Sequence, residues 1–224
     1  MTIRALSATA IILTILLSVS CNRPGEGFTD EELSLINGAD SIMRVLTIED
    51  SLDNAVLRSI STDMSAEALC SPEYERLSCL MVATVTHPSQ DGVGIAGPQV
   101  GLNRRIVAVQ RFDKPGEPFE VYPNIRIVCR SDSLAYGPEG CLSVPDRRGE
   151  VLRSQEIVIE YADTERLNEA DDRNHGRQRS EGLLRRKSST APLPVCRDTV
   201  KGFTAVIFQH ECDHLDGVLY IDRL

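Results

Sequence analysis

Thr204-Ala205-Val206-Ile207-Phe208-Gln209-His210-Glu211-Cys212-Asp213-His214-Leu215, closed by Gly217, reads as the last helix of the chain, and the rest must fold around it. Within it, His210-Glu211-Cys212-Asp213-His214 is an H-E-x-x-H sequence. Four residues make about one helical turn, so both imidazoles project from one face and can grip one metal ion. Glu211 lies beside His210, within reach of a water on that ion. Cys212, two residues from each histidine, points away. A catalytic site of this kind needs a third protein ligand and a position open to water. After His214 the remaining donors are Asp216 and Asp222, so the third ligand is expected from upstream. The candidates there are His87, His175 and the free cysteines. Cys141 is the best placed, in Glu139-Gly140-Cys141-Leu142-Ser143, because glycine lets the backbone come close to a ligand. Cys129 reads instead as a small buried hydrophobe.

Moving outward, Ser71-Pro72-Glu73 opens a second principal helix, with Ser71 as N-cap and Pro72 at its first position. Leu77, Leu80, Met81, Thr84 and Val85 share one face of it, and His87-Pro88 ends it. Thr29-Asp30-Glu31-Glu32 has capping-box spacing, and with Leu33, Leu35, Ile36 and then Gly38 it predicts a short helix with a glycine stop. Ile106 to Val109 and Ile125 to Val128 are β-rich, separated by a Pro/Gly turn region at residues 114–118. Glu156 to Tyr161 is another strand, half-buried. The fold class is therefore α+β, with strands between two principal helices. Residues 163–199 are polar and lack apolar periodicity, with six basic residues from Arg173 to Lys187. They read as a solvated, partly disordered surface insertion.

The 224 residues suffice for one sizeable domain. Apolar residues are 42 % and charged residues 25 %, as in globular proteins. A net charge of −9 and aromatics at 4 %, with no Trp, argue against nucleic acid as a partner. Seven cysteines, an odd number, do not make a disulfide scaffold. Cys70 and Cys79 would lie about 13 Å apart on one continuous helix, too far to bridge. Pro72 starts the helix after Cys70, which leaves that pair disfavoured rather than excluded. Arg4 followed by the apolar stretch Ala5 to Val19 has the secretory-signal pattern and is too short to span a bilayer. Leu17-Ser18-Val19-Ser20-Cys21 resembles a lipobox, with Ser18 where leucine is usual. Residues 1–21 are accordingly expected to be a signal ending at a lipidated Cys21. Residues 22–40 would be a tether and short helix, and residues 41–224 a single catalytic domain. That places the protein in the cell envelope, anchored to the membrane by lipid; without a working signal it would be cytoplasmic.

Three motifs together resemble the peptide deformylases. The first reads Gly92-Val93-Gly94-Ile95-Ala96-Gly97-Pro98-Gln99, the second Glu139-Gly140-Cys141-Leu142-Ser143, and the third is the helical segment from Gln209 to Gly217. The likeness covers about residues 40–162 and 200–224. It implies antiparallel sheets packed around a central C-terminal helix that carries the metal motif. It also implies Cys141, His210 and His214 as ligands of one divalent ion, Fe²⁺ in most such enzymes and Zn²⁺ as an alternative. Glu211 would be the general base. Gln99 and the backbone N–H of Leu142 would meet the developing oxyanion, and formyl would leave an N-formylmethionyl peptide as formate. Gly92, Val93 and Gly94 would bind the peptide in extended form. Val93, Val206 and Ile207 would line a pocket for the methionine side chain. Arg148 would meet the peptide further along, and Glu139 with Arg153 would form a supporting ion pair. A monomer is expected. The chain departs from the family at Gly97, where a second alanine is usual, in the longer stretch between the second and third motifs, and in ending soon after the third. Two other readings remain: an exported amidase or peptidase of the same fold acting on another small amide or peptide, and a non-catalytic lipoprotein binding module.

Overall fold

The computed structural model describes residues 27–170 and 192–224. The stretch expected to be a signal, Cys21, His175 and most of the Arg-rich stretch lie outside the described residues. Four helices precede the first strand: α1 (Asp30–Gly38), α2 (Ser51–Leu57), α3 (Ala66–Leu69) and α4 (Pro72–Val85). Three small antiparallel sheets follow. β1 (Gly94–Ala96), β2 (Ile106–Gln110) and β3 (Phe119–Pro123) form one; β4 (Arg126–Arg130), β7 (Glu156–Ala162) and β8 (Val195–Lys201) form another. β5 (Leu134–Cys141) and β6 (Val144–Ser154) pair as a long hairpin. Residues 164–170 are helical (α5), and α6 (Gly202–Leu215) runs through the middle.

The capping residues act as the sequence requires. The Thr29 hydroxyl accepts from the Glu32 N–H while the Glu32 carboxylate accepts from Thr29 N–H, closing the capping box of α1. Ser71 accepts from Tyr74 N–H at the start of α4, and Leu77, Leu80, Met81, Thr84 and Val85 are its buried face. α6 is different, for 11 of its 14 residues are buried. A helix covered on every side is a central element, so its polar residues must find partners inside.

β2 separates two parts of the core. Ile106 and Ala108 pack with α4, Met43 and Met64; Val107 and Val109 pack with Phe208, Cys212 and Leu215 of α6. Alternate side chains of one strand thus serve opposite layers. Arg105 and Arg111 bracket this apolar run. Arg105 donates to the Ile125 carbonyl at 3.1 Å and to Asp216 at 2.8 Å.

Several expectations need correction. Residues 195–199 are not insertion but the outer strand β8, which pairs with β7 from Glu156↔Lys201 to Ala162↔Val195. Residues 30–38 form the short helix expected there, and it is docked on the domain. Ile36 is fully buried against α4, and Arg76 donates to the carbonyls of Ile36 and Ala39. Cys129 is exposed, because it sits on the edge strand β4 where the pairing shifts between Ile127 and Cys129. Cys70 and Cys79 are not joined in a disulfide. Among the described residues no helix is long and apolar enough to cross a membrane.

Candidate metal centre and active-site cleft

Two elements separated in sequence build the site. α6 delivers His210 and His214 one turn apart, and the end of β5 delivers Cys141. Register slips between Gly140 and Cys141, so that Cys141 faces Val144 across the hairpin end. Such a bulge re-aims a side chain, and here it turns the sulfur towards the helix. Sγ of Cys141 lies 3.2 Å from Nε2 of His214, and one donor atom each from Cys141, His210 and His214 fall within 4.8 Å of one another. Of the third-ligand candidates among the described residues, Cys141 is the one brought in. His87 is exposed and bonded to Ser89.

Of the two imidazoles, His210 is the one held from behind, whereas Nδ1 of His214 is buried without a hydrogen-bond partner. Nδ1 of His210 pairs with the Glu139 carboxylate at 2.8 Å, which leaves Nε2 for the cluster. Glu139 in turn takes two N–H groups from Arg153, at 2.7 and 2.9 Å. Arg153 also donates to Asp213 at 2.6 Å, and Asp213 receives a second fork from Arg223. Burial would raise the Glu139 carboxyl, but Arg153 and His210 outweigh it and hold it at about 2. Burial, with His210 nearby, keeps His214 well below its ordinary value, so it is neutral and free to ligate. The Cys212 thiol is pushed up to about 12 by burial, as expected of a cysteine pointing away from the site.

Glu211 stands over the cluster. Burial pushes its carboxyl up to about 7 against the pull of His210, and its Oε2 is buried without a hydrogen-bond partner. A Cβ on Gly94 would come within 2.5 Å of Glu211 Oε1 and 2.8 Å of Ile207. Gly94 therefore makes room for the carboxylate, a role the sequence reading did not foresee. The side-chain amide of Gln99 donates to Ser143 Oγ at 3.2 Å and approaches Cys141 Sγ at 3.5 Å, while its oxygen accepts from Ala96 N–H. Leu46 N–H donates to the Gln99 carbonyl and Ile48 N–H to that of Ser143. One extended segment thus ties the two turns together.

Gln99, Cys141, His210 and Glu211 line a cleft of about 750 Å³, and Gly92, Val93, Gly94, Leu142, Arg148, Val206 and Ile207 all border it. Sequence reasoning missed Phe203, Asp146 and Arg147 on the same walls. Phe203 sits at the first turn of α6, where its helical position could have flagged it; it rests on Phe112 at 5.3 Å. Asp213 was also missed as an anchor, being one more motif position between the histidines.

Two imidazoles and a thiolate fit a divalent ion, and the partnerless Glu211 oxygen beside them fits a reacting water. Fold and site together define a metal-dependent hydrolase. The polypeptide deformylase family model matches residues 42–176 and 195–224. A peptide deformylase of Leptospira biflexa is 34 % identical over 183 residues, 77 % of this chain and 84 % of the relative. Peptide deformylase 2 of a Nostoc species is 39 % identical over 150 residues, 64 % of this chain and 68 % of the relative. The Met-Ala-Ser-bound crystal structure of a class I type b peptide deformylase from Acinetobacter baumannii superposes with a TM-score of 0.62 at 29 % identity, over 82 % of this chain and 98 % of that one. This chain belongs to the polypeptide deformylase family, and it is an enzyme that binds a single metal ion.

Proposed function

We propose that this enzyme hydrolyses the formyl amide of N-formylmethionyl peptides, releasing formate and a free amino terminus. The observation that carries this is the three-donor cluster with the partnerless Glu211 carboxylate beside it. Cys141, His210 and His214 would hold the ion, which when bound supplies Lewis-acid polarisation of the formyl oxygen and lowers the pKa of water. Thiolate with two imidazoles accommodates Fe²⁺, the choice the family resemblance favours, or Zn²⁺.

The chain's own groups do the rest. Glu211, its carboxyl near 7, takes a proton from the attacking water and returns it to the departing amine. The Gln99 amide and the Leu142 N–H receive the oxygen as it gains charge. The backbone from Gly92 to Gly94, leading into the edge strand β1, takes the peptide in extended form. Val93, Val206 and Ile207 enclose the methionine side chain, and Arg148 meets the peptide beyond it. Glu211→Gln should cut formate release from formyl-Met-Ala-Ser by about 10³-fold or more while metal content stays stoichiometric. In the wild type, rate should fall with acid through a limb at or below about 7, as Glu211 takes up its proton. A Glu211→Gln variant with near-normal turnover would rule this assignment out.

The apolar stretch from Ala5 to Val19 before Cys21 supports a second element of the reading, that the enzyme is exported and lipid-anchored. Formylated peptides outside the cytoplasm would then be its substrates. A redox-inert ion such as Zn²⁺ would suit an oxidising envelope. Fractionation of cells together with mass spectrometry of the amino terminus tests both points.

A further inference from the structure

α1 lies before residue 42, where the family match begins, yet it is fastened to the part of the fold that carries Gln99. The Glu32 carboxylate takes two N–H groups from Arg104, at 2.5 and 2.8 Å, with the two side chains 15 % and 5 % exposed. Arg104 reaches further, to the Asp63 carbonyl at 3.2 Å. The backbone of Arg104 belongs to the loop lying directly on Gly97. A Cβ on Gly97 would stand 2.6 Å from the Arg104 carbonyl oxygen and 2.7 Å from that of Leu102. Leu102 N–H donates to the Gly97 carbonyl at 3.0 Å. Gly97 opens the 3₁₀ turn Gly97–Val100, and Gln99 is its third residue.

One path of contacts thus runs from a carboxylate on α1, through a buried guanidinium and its own carbonyl, to the turn that aims the Gln99 amide at Ser143 and Cys141. We infer that Glu32 and Arg104 are positioning residues for Gln99: the ion pair presses the 102–104 loop onto Gly97 and so fixes the amide over the reacting oxygen. This rests on the deformylase reading above and adds to it a helix outside the matched region. A charge-assisted, two-point pair with little solvent is rigid enough for the task, and a donor misplaced by an ångström forfeits much of its effect.

The test is Glu32→Gln in the metal-loaded full chain, assayed on formyl-Met-Ala-Ser. kcat should fall about tenfold, part of the about 10²–10³-fold that losing a whole oxyanion donor costs. KM should stay within about twofold. In a Gln99→Ala background the same change should move kcat by less than about twofold, because the group being positioned is gone. The ¹⁵N–¹H side-chain amide signal of Gln99, identified by its loss in Gln99→Ala in Zn²⁺-loaded protein, should shift in Glu32→Gln. If Glu32→Gln lowers only Tm and leaves kcat and that signal unchanged, the pair is merely structural and the inference falls. Should Glu32→Gln fail to fold, Arg104→Lys, which keeps the charge and loses the fork, decides by the same two readings. If the wild type releases no formate, the deformylase reading fails, and the Gln99 signal still decides the positioning.

Discussion

Two buried arginines sit on either side of α6, and they use the same chemistry for different ends. Arg153 is 4 % exposed and is gripped by Glu139 and Asp213, whose side chains are 5 % and 8 % exposed. Arg111 is 2 % exposed, but its carboxylates are wetter: Asp113, Glu120 and Asp198 are 27, 32 and 33 % exposed. Tyr122 and Phe208 wrap its guanidinium on the core side. Arg111 fastens the β2–β3 hairpin to β8. Arg153 fastens the β5–β6 hairpin to α6, and one of its carboxylates is also the partner of a metal-ligand imidazole. Burial and pairing alone do not make an ion network functional. What decides is whether a link in it touches a group that does chemistry.

That contrast is easiest to break at Arg153. Arg153→Met leaves buried Glu139 with His210 alone and Asp213 with Arg223 alone, which should cost about 3–5 kcal/mol of stability. It should also cost about 10–100-fold in metal affinity, since His210 loses its fixed orientation. Chelator competition and thermal unfolding measure the two losses separately. Arg111→Met leaves carboxylates that water can reach, so the stability loss should be nearer about 1–3 kcal/mol. Metal stoichiometry and kcat should match the wild type, and a fall in either would join the two networks functionally. A further effect is on acid unfolding. Glu139 is held at about 2 in the folded protein against 4.5 as its ordinary value, so it contributes stability above about 4.5 that is lost as pH falls towards about 2. Replacing it by Gln should flatten the stability profile through that window, as read by urea unfolding at stepped pH. A profile as steep as the wild type's would shift that role to other carboxylates.

How much of this was legible beforehand varies by region. The H-E-x-x-H spacing placed His210 and His214, and capping chemistry placed α1 and α4, because both signals are local. β5 and β6 were not legible. Leu134 to Cys141 holds two glycines and a proline, and most of that strand is exposed, so it lacks the alternation that marks a strand. The reach of α1 was hidden as well, since Glu32 finds Arg104 72 residues away. Arg111 likewise meets Asp198 87 residues on. Partners at such distances leave no periodic trace in a single sequence. In the sequence Gly97 marks only a departure from the family; its cause, two carbonyl oxygens closing on the site of a Cβ, shows only in the fold.

The two-sided burial of β2 has a consequence for how the chain finds its alignment. A strand apolar on one face alone announces a misplaced step by exposing that face to water. Ile106 to Val109 could slide by one residue and still meet hydrocarbon above and below. The guard against that slip stands at its ends, where Arg105 reaches Asp216 and Arg111 reaches Asp113 and Asp198. A one-place shift would drag a guanidinium into the greasy interior, so these two cations work as end-stops that set the strand in its groove.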